Sequence, residues 1–262
     1  MQLELTGKNT IVCGSTQGIG LAIAKKFAVL GANVLLIARD EEKLKNVSES
    51  LAVKSGQKHS YLCADFLNPT ALQKAINEYT LNNPEVSILV NNTGGPPAGR
   101  AIDATLDDFL NAFKQHLLCN QILVQAVVPG MINLKYGRII NIISTSVKMP
   151  IPGLGVSNTI RGAVANWAKT LSIELGSFGI TVNNVLPGAT NTGRLDSIIE
   201  SKAKKEEKSV ELVRNEMVSE IPAGYIGSPD DLAAAVAFLA SPAAAYINGI
   251  NLPVDGGRTG TL

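Results

Sequence analysis

Short runs of β-branched and aliphatic residues alternate along this chain with longer stretches of helical period. Runs at 10–13, 34–37, 61–64, 88–90, 139–143, 180–185 and 250–252 read as seven strands. Most are apolar at consecutive positions rather than at every second one, which predicts strands buried on both faces. Between them apolar residues return at intervals of three and four. At 18–30, for example, Ile19, Ala22, Ile23, Phe27 and Leu30 would line one helix face. The same spacing predicts helices near 41–54, 69–82, 105–133, 156–176, 196–220 and 230–240. Strands joined in series by helices need right-handed crossovers, which build a parallel sheet with helices on both faces. The expected fold class is therefore α/β: a doubly wound, seven-stranded parallel sheet of Rossmann-like type, with 1–262 forming a single domain.

The pattern is weakest at about 190–225, where Lys202, Lys204, Lys205, Glu206, Glu207 and Lys208 interrupt it with mixed charge. Such a run reads as a solvated helix face; its place after the carboxyl end of a strand also suits a lid over a ligand. Composition narrows the function further. The 262 residues include 23 basic and 22 acidic side chains and are 45% hydrophobic, enough for one large core at a net charge of only +1. That balance gives no electrostatic footprint for nucleic acid or an anionic membrane surface. No run reaches the ~18 uninterrupted apolar residues of a membrane span. The longest candidate, around 232–247, is broken at Ser241-Pro242, and Glu4 stands where a secretory leader would need an apolar core. Cys13, Cys63 and Cys119 are odd in number and lack a CxxC spacing, so neither a disulfide framework nor a metal cage is expected. A cytoplasmic protein with reduced thiols, acting on a small molecule, is the expectation.

The first strand runs into Gly14, Ser15, Thr16, Gln17, Gly18, Ile19 and Gly20, which open the first helix. Glycines at a strand-to-helix turn let the backbone bend sharply and approach a pyrophosphate, whose charge the helix amides stabilise. Together with Asn91-Asn92-Thr93-Gly94, Pro187-Gly188-Ala189-Thr190-Asn191-Thr192 and Val254-Asp255-Gly256-Gly257, this loop gives the chain four motifs in one order. They resemble those of the short-chain dehydrogenase/reductase family, in its simple branch of about this length, and its 3-oxoacyl-acyl-carrier-protein reductase-like members. Cys13 and Thr93 depart from the usual Thr and Ala.

The resemblance implies a nicotinamide dinucleotide. It assigns Asp65 and Phe66 to the adenine, Asn91 and Gly94 to the ribose, and Pro187, Gly188, Thr190 and Thr192 to the nicotinamide end. Where relatives that use NAD carry a carboxylate, this chain has Ala38 followed by Arg39. A guanidinium matches phosphate oxygens, which favours NADP(H), with NAD(H) open and an Arg39–Asp40 surface pair as the competing reading.

At the chemical end the family uses a Ser, a Tyr, a Lys four residues after the Tyr, and a supporting Asn. Alignment from the segments at 170–175 and 179–183 places Ser157 at the Tyr and Arg161 at the Lys, alignment from 138–141 places Ser144 at the Ser with the family's spacing of thirteen to Ser157, and the supporting Asn falls on His116. No Tyr occurs between Tyr136 and Tyr225. A serine hydroxyl is far less acidic than a phenol and an arginine stays protonated, so neither replaces the Tyr–Lys proton exchange. Arg161 remains a candidate to bind ribose or an anionic substrate group. His116 is the remaining proton carrier, weighed against a simple packing role, and Ser144 reads as a ligand donor or a strand-ending turn. Two functions follow: an NADP(H)-dependent oxidoreductase with an atypical site, or a non-catalytic nucleotide-binding sensor or subunit. Trp167, with Ile160, Ala163, Val164, Ala168 and Leu171, forms a stripe where relatives make subunit contacts, so a homo-oligomer is expected.

Overall fold

Strand β1 (Asn9–Cys13) leads into α1 (Gly18–Val29), β2 (Asn33–Ala38) into α2 (Glu41–Ser50), and β3 (Ser60–Cys63) into α3 (Pro69–Asn82). β4 (Val86–Asn91) is followed by α4 (Leu106–Phe113), a π-helical stretch (Lys114–Leu118) and α5 (Cys119–Leu134), and then β5 (Gly137–Ile142). α6 (Gly155–Leu175) precedes β6 (Ile180–Pro187); α7 (Gly193–Glu206), α8 (Val210–Ser219) and α9 (Pro229–Ala240) precede β7 (Asn251–Val254). This computed structural model describes residues 3–54 and 56–261.

The seven strands form one parallel sheet in the order β3-β2-β1-β4-β5-β6-β7. Alternate strand residues feed two cores, as the strand period requires. Val12, Leu36, Val90 and Ile140 pack with Ile23 and Phe27 of α1 and Val236 of α9. Ile11, Leu35, Leu89 and Ile139 pack on the other side with Ile76 of α3, Val127 of α5 and Ala168 of α6. The expected seven strands and the doubly wound architecture are present. β3 departs from the expected double burial: it is an edge strand, and Ser60, Tyr61 and Cys63 are exposed.

Two other expectations are corrected. The predicted helix at 196–220 is two helices, because Glu207 takes a left-handed conformation (φ 53°) that ends α7, and Ser209 accepts a hydrogen bond from the Leu212 amide to start α8. The longest apolar helical path is Leu106–Leu134 rather than 232–247, and by length and composition alone it could cross a membrane. In the fold, its α5 half lays Leu123, Val124, Val127 and Met131 into the second core, while Leu106 and Leu110 of its α4 half are exposed.

Four asparagines stand in register across β4, β5, β6 and β7. Asn91 Nδ2 donates to Asn141 Oδ1 (2.8 Å), Asn141 Nδ2 to Asn184 Oδ1 (2.9 Å) and Asn184 Nδ2 to Asn251 Oδ1 (2.8 Å). Asn141 is fully buried, so cutting the ladder there strands a donor on one side and an acceptor on the other. Asn141→Ala is expected to destabilise the fold by about 2–5 kcal/mol in urea unfolding, the cost of two stranded polar groups. A loss under about 1 kcal/mol would mean that water or repacking satisfies both.

Candidate functional site

The turn after β1 is held by close backbone approach. Gly14 and Gly18 have φ of 59° and 54°, and a Cβ on Gly20 would lie 2.1 Å from the Gly14 carbonyl oxygen. A Cβ on Gly14 would meet the Asn92 carbonyl oxygen at 2.6 Å. Asn92 fastens this contact, its Nδ2 donating to the carbonyls of Cys13 (3.1 Å) and Gly14 (3.3 Å). No side chain caps α1 at Gln17, so its first-turn amides keep no side-chain acceptor and suit an anion.

From this turn a cavity of about 600 Å³ runs in two directions along the carboxyl ends of the strands. One arm passes Thr16, Gln17, Gly18 and Ile19 to Ala38, Arg39, Asp65 and Phe66. The other passes Gly94 and Gly95 to Ser144, Ser157 and Arg161, with Pro187, Gly188, Thr190 and Thr192 across from them. Thr192 closes over the glycine turn, its Cγ2 lying 3.2 Å from where a Gly18 Cβ would stand. The glycine cradle, the uncapped helix and the two-armed cavity fit an extended dinucleotide, and the volume lies in the range of ligand sites, about 300–1,000 Å³.

Several sequence-nominated residues lie elsewhere. Ser15 turns inward and is buried, its Oγ donating to the Ile37 carbonyl (3.4 Å), and Gly20 sits behind the turn against Gly14. Asn91 belongs to the asparagine ladder beneath the site; Asn92 and Thr93, which follow it, line the cavity instead. Asp40 does not pair with Arg39. It caps α2 through the Lys43 amide and binds Lys43 Nζ at 2.8 Å, leaving Arg39 on the cavity wall without an ion pair among the described residues.

Ser144 Oγ accepts from the Ser146 amide (3.1 Å), which turns the chain after β5 and leaves the hydroxyl proton available to the cavity. Ser157 occupies the first turn of α6, and Arg161 follows one turn later on the same wall. Arg161 is only 7% exposed. Its Nη1 donates to the Ile142 carbonyl (3.2 Å), its Nη2 to the Thr93 carbonyl (3.5 Å), and its Nε has no partner among the described residues. Burial, and then the charge of Arg194, bring its pKa down to about 10, so it is a cation at neutral pH. No tyrosine lines the cavity among the described residues. Tyr136 lies behind the sheet, its hydroxyl donating to the Ala240 carbonyl (2.8 Å), and Tyr225 is exposed and outside the lining.

His116 does not supply the proton carrier that the sequence offered. It sits in the π-helical stretch, 1% exposed, with Nδ1 hydrogen-bonded to Thr93 Oγ1 and Nε2 without a partner among the described residues, while its neighbour Gln115 lines the cavity. Burial, reinforced by the Arg161 cation, pushes its pKa down to about 2. The residue that sequence reading missed is Arg194, at the start of α7, whose Nη2 donates to the Pro96 carbonyl (2.7 Å) from the cavity wall.

A neutral buried imidazole has a consequence for stability. The unfolded chain takes up a proton near pH 6.5, which the folded chain refuses until about pH 2. The stabilisation is therefore full above pH 6.5 and declines as pH falls, by about 1.4 kcal/mol per pH unit. His116→Asn is expected to remove about 2 kcal/mol of the stability lost between pH 6.5 and 5, measured by urea unfolding at each pH. An imidazole NMR titration of His116 with its midpoint near 6.5 would contradict the assignment.

Comparison with known proteins agrees with this geometry. The family profile described as "Enoyl-(Acyl carrier protein) reductase" matches residues 14–259. The 3-oxoacyl-[acyl-carrier-protein] reductase of Rickettsia prowazekii is 33% identical over 255 residues, covering 97% of this chain and 98% of that protein. That of Aquifex aeolicus is 32% identical over 257 residues, covering 98% and 99%. Among solved structures, L-sorbose reductase from Gluconobacter frateurii, complexed with NADPH and L-sorbose, superposes with a TM-score of 0.93 at 28% identity over 100% of both chains. An NADPH-dependent reductase involved in bacilysin biosynthesis gives 0.92 at 27% identity over 97% of this chain and 99% of that one. The chain is a member of the short-chain dehydrogenase/reductase family.

Proposed function

We propose that the protein is an NADP(H)-dependent oxidoreductase acting on a carbonyl/alcohol pair through Ser144, Ser157 and Arg161. The observation that carries this reading is the continuity of the cavity from Arg39 through the glycine turn to Ser144 and Arg161. The bound NADPH of the sorbose reductase and the cofactor named for the bacilysin enzyme support the choice of dinucleotide. NAD(H) is the alternative that Arg39 disfavours, because the guanidinium makes no ion pair among the described residues and would meet a 2′-phosphate. Gly14, Gly18 and Ile19 would hold the diphosphate, Asp65 and Phe66 the adenine, Gly94 the ribose, and Pro187, Gly188, Thr190 and Thr192 the nicotinamide end.

The dinucleotide supplies hydride transfer. The chain supplies polarisation: the hydroxyls of Ser144 and Ser157 donate to a carbonyl oxygen, and the Arg161 cation stabilises negative charge developing there. Neither serine is a proton source of the strength of a tyrosine held by a lysine, and His116 carries no proton to give at neutral pH. The proton is drawn from water, and the missing general acid costs about 10²–10⁴ in rate, or roughly 3–5 kcal/mol. α7 and α8 would serve as a lid, with their own apolar cluster of Leu195, Ile199, Ala203 and Val213. A homo-oligomer belongs to the same reading: Leu106 and Leu110 on α4 and Ile173 on α6 are exposed, while of the α6 stripe Ile160, Val164 and Ala168 are buried in the chain's own core and Ala163, Trp167 and Leu171 stay partly exposed. Reduced thiols at Cys13, Cys63 and Cys119 suit a cytoplasmic setting. No nucleic-acid or membrane partner enters this reading.

Among the described residues no tyrosine or carboxylic acid lines the chemical end, which favours a second reading, a non-catalytic nucleotide-binding sensor or subunit. NADPH consumption with a panel of ketones, oxo acids and acyl thioesters separates the two. The oxidoreductase reading expects turnover that Ser144→Ala lowers by about 10² or more. It also expects Arg39→Asp to shift the preference from NADPH to NADH by about tenfold or more, the worth of a charge-assisted phosphate contact. Tight nucleotide binding with no turnover of any compound would favour the sensor.

A further inference from the structure

Two arginines converge on the chemical arm of the cavity from different elements, Arg161 from α6 and Arg194 from α7. Both are tied to the same short segment: Arg161 Nη2 donates to the Thr93 carbonyl (3.5 Å) and Arg194 Nη2 to the Pro96 carbonyl (2.7 Å). Between those anchors, the Gly95 Cβ position would lie 3.8 Å from Arg194 Nη2, an ordinary contact distance that sets the guanidinium beside the segment. Neither arginine has an ion pair among the described residues. The acid next along α7, Asp196, is committed to Arg214 (2.7 Å). Among the described residues the only carboxylate on the cavity wall is Asp65, at the adenine arm, where its Oδ1 accepts from the Leu67 amide (2.9 Å).

An unpaired buried cation is costly, and a second cation facing it makes it more so. Arg161 is 7% exposed, its buried Nε has no partner among the described residues, and the charge of Arg194 adds to the burial that lowers its pKa. His116, the remaining titratable neighbour of Arg161, is held neutral and offers no compensation. The phosphates of a dinucleotide have their own cradle at the glycine turn and Arg39. What the chemical arm lacks is one negative charge with oxygens spaced to meet guanidinium forks, which is a carboxylate.

We propose that Arg161 and Arg194 bind a carboxylate of the substrate, which makes the substrate an oxo acid or the corresponding hydroxy acid. This assignment rests on the oxidoreductase reading above for its carbonyl, but the anion site has a readout of its own. Arg194 is the specificity residue: it carries no part of the fold's core and stands at the exposed first turn of α7.

The test measures binding of a series of 2-, 3- and 4-oxo acids and their ethyl esters by saturation-transfer NMR, with and without NADPH, to wild-type protein and to Arg194→Gln and Arg194→Lys. The acids are expected to bind at least about tenfold more tightly than the esters. Arg194→Gln is expected to erase that ratio, and Arg194→Lys, which keeps the charge and loses the fork, to restore part of it, with the Kd for NADPH changed less than about twofold in both. Acids that bind no better than esters overturn the proposal. So does Arg194→Gln weakening NADPH by about tenfold while the acid preference stays, since Arg194 would then hold a cofactor phosphate. Inorganic phosphate displacing the acids at lower concentration than they displace one another would also overturn it, by making the site one for phosphate. If the wild-type protein binds no dinucleotide, the oxidoreductase reading fails by itself, and the acid-to-ester ratio measured without NADPH still decides the arginine pair.

Discussion

The reversal of strand order beside β1 is the constraint from which the site follows. β2 and β3 lie to one side of β1 and β4 to β7 to the other, so the chain leaving β1 and the chain leaving β4 turn away from each other and open a crevice at their carboxyl ends. Backbone contact closes the floor of that crevice. Gly14 and Gly20 are pressed together and against Asn92 so tightly that a single Cβ would not fit, and the Asn92 amide ties the turn to β1. Beneath it the asparagine ladder holds β4 to β7 in register at the level from which Thr93 and Ser144 emerge.

Charge at the chemical arm is arranged differently from the Ser, Tyr and Lys of the family pattern. A cation sits buried with no ion pair among the described residues, and the imidazole that could have titrated beside it is held neutral by burial and by that same cation. A positive arm of this kind favours a ligand that brings negative charge. It has little capacity to exchange protons at neutral pH. The first turn of α7 is tied in two directions: Arg194 reaches across to the 93–96 segment, while Asp196 pairs with Arg214 of α8.

Most of the fold was legible because strands buried on both faces leave continuous apolar runs, and helices packed on one face leave a period. The break between α7 and α8 was masked by mixed charge, and its local signal was Ser209, a residue suited to start a helix. The glycine turn was legible because it depends on local conformation. The orientation of Ser15, and the exchange of Asn91 for Asn92 on the cavity wall, depend on strand pleat and on cross-strand partners, which the spacing of a motif does not carry. The position of His116 turns on a π-helical stretch that periodicity reads as ordinary helix. Arg194 was overlooked because its partners lie a hundred residues away; a cation in the first turn of a helix, opposed by the helix dipole, was the one sign that something else holds it there.

The crevice as a dinucleotide site is the central claim, and calorimetric titration of the purified protein with NADPH, NADP⁺, NADH and NAD⁺ tests it most directly. The structure leads to saturable binding at one site per chain, with the phosphorylated dinucleotides bound more tightly than the unphosphorylated pair. An absence of binding heat from all four at millimolar concentration, for protein whose fold is intact by circular dichroism, would contradict the account.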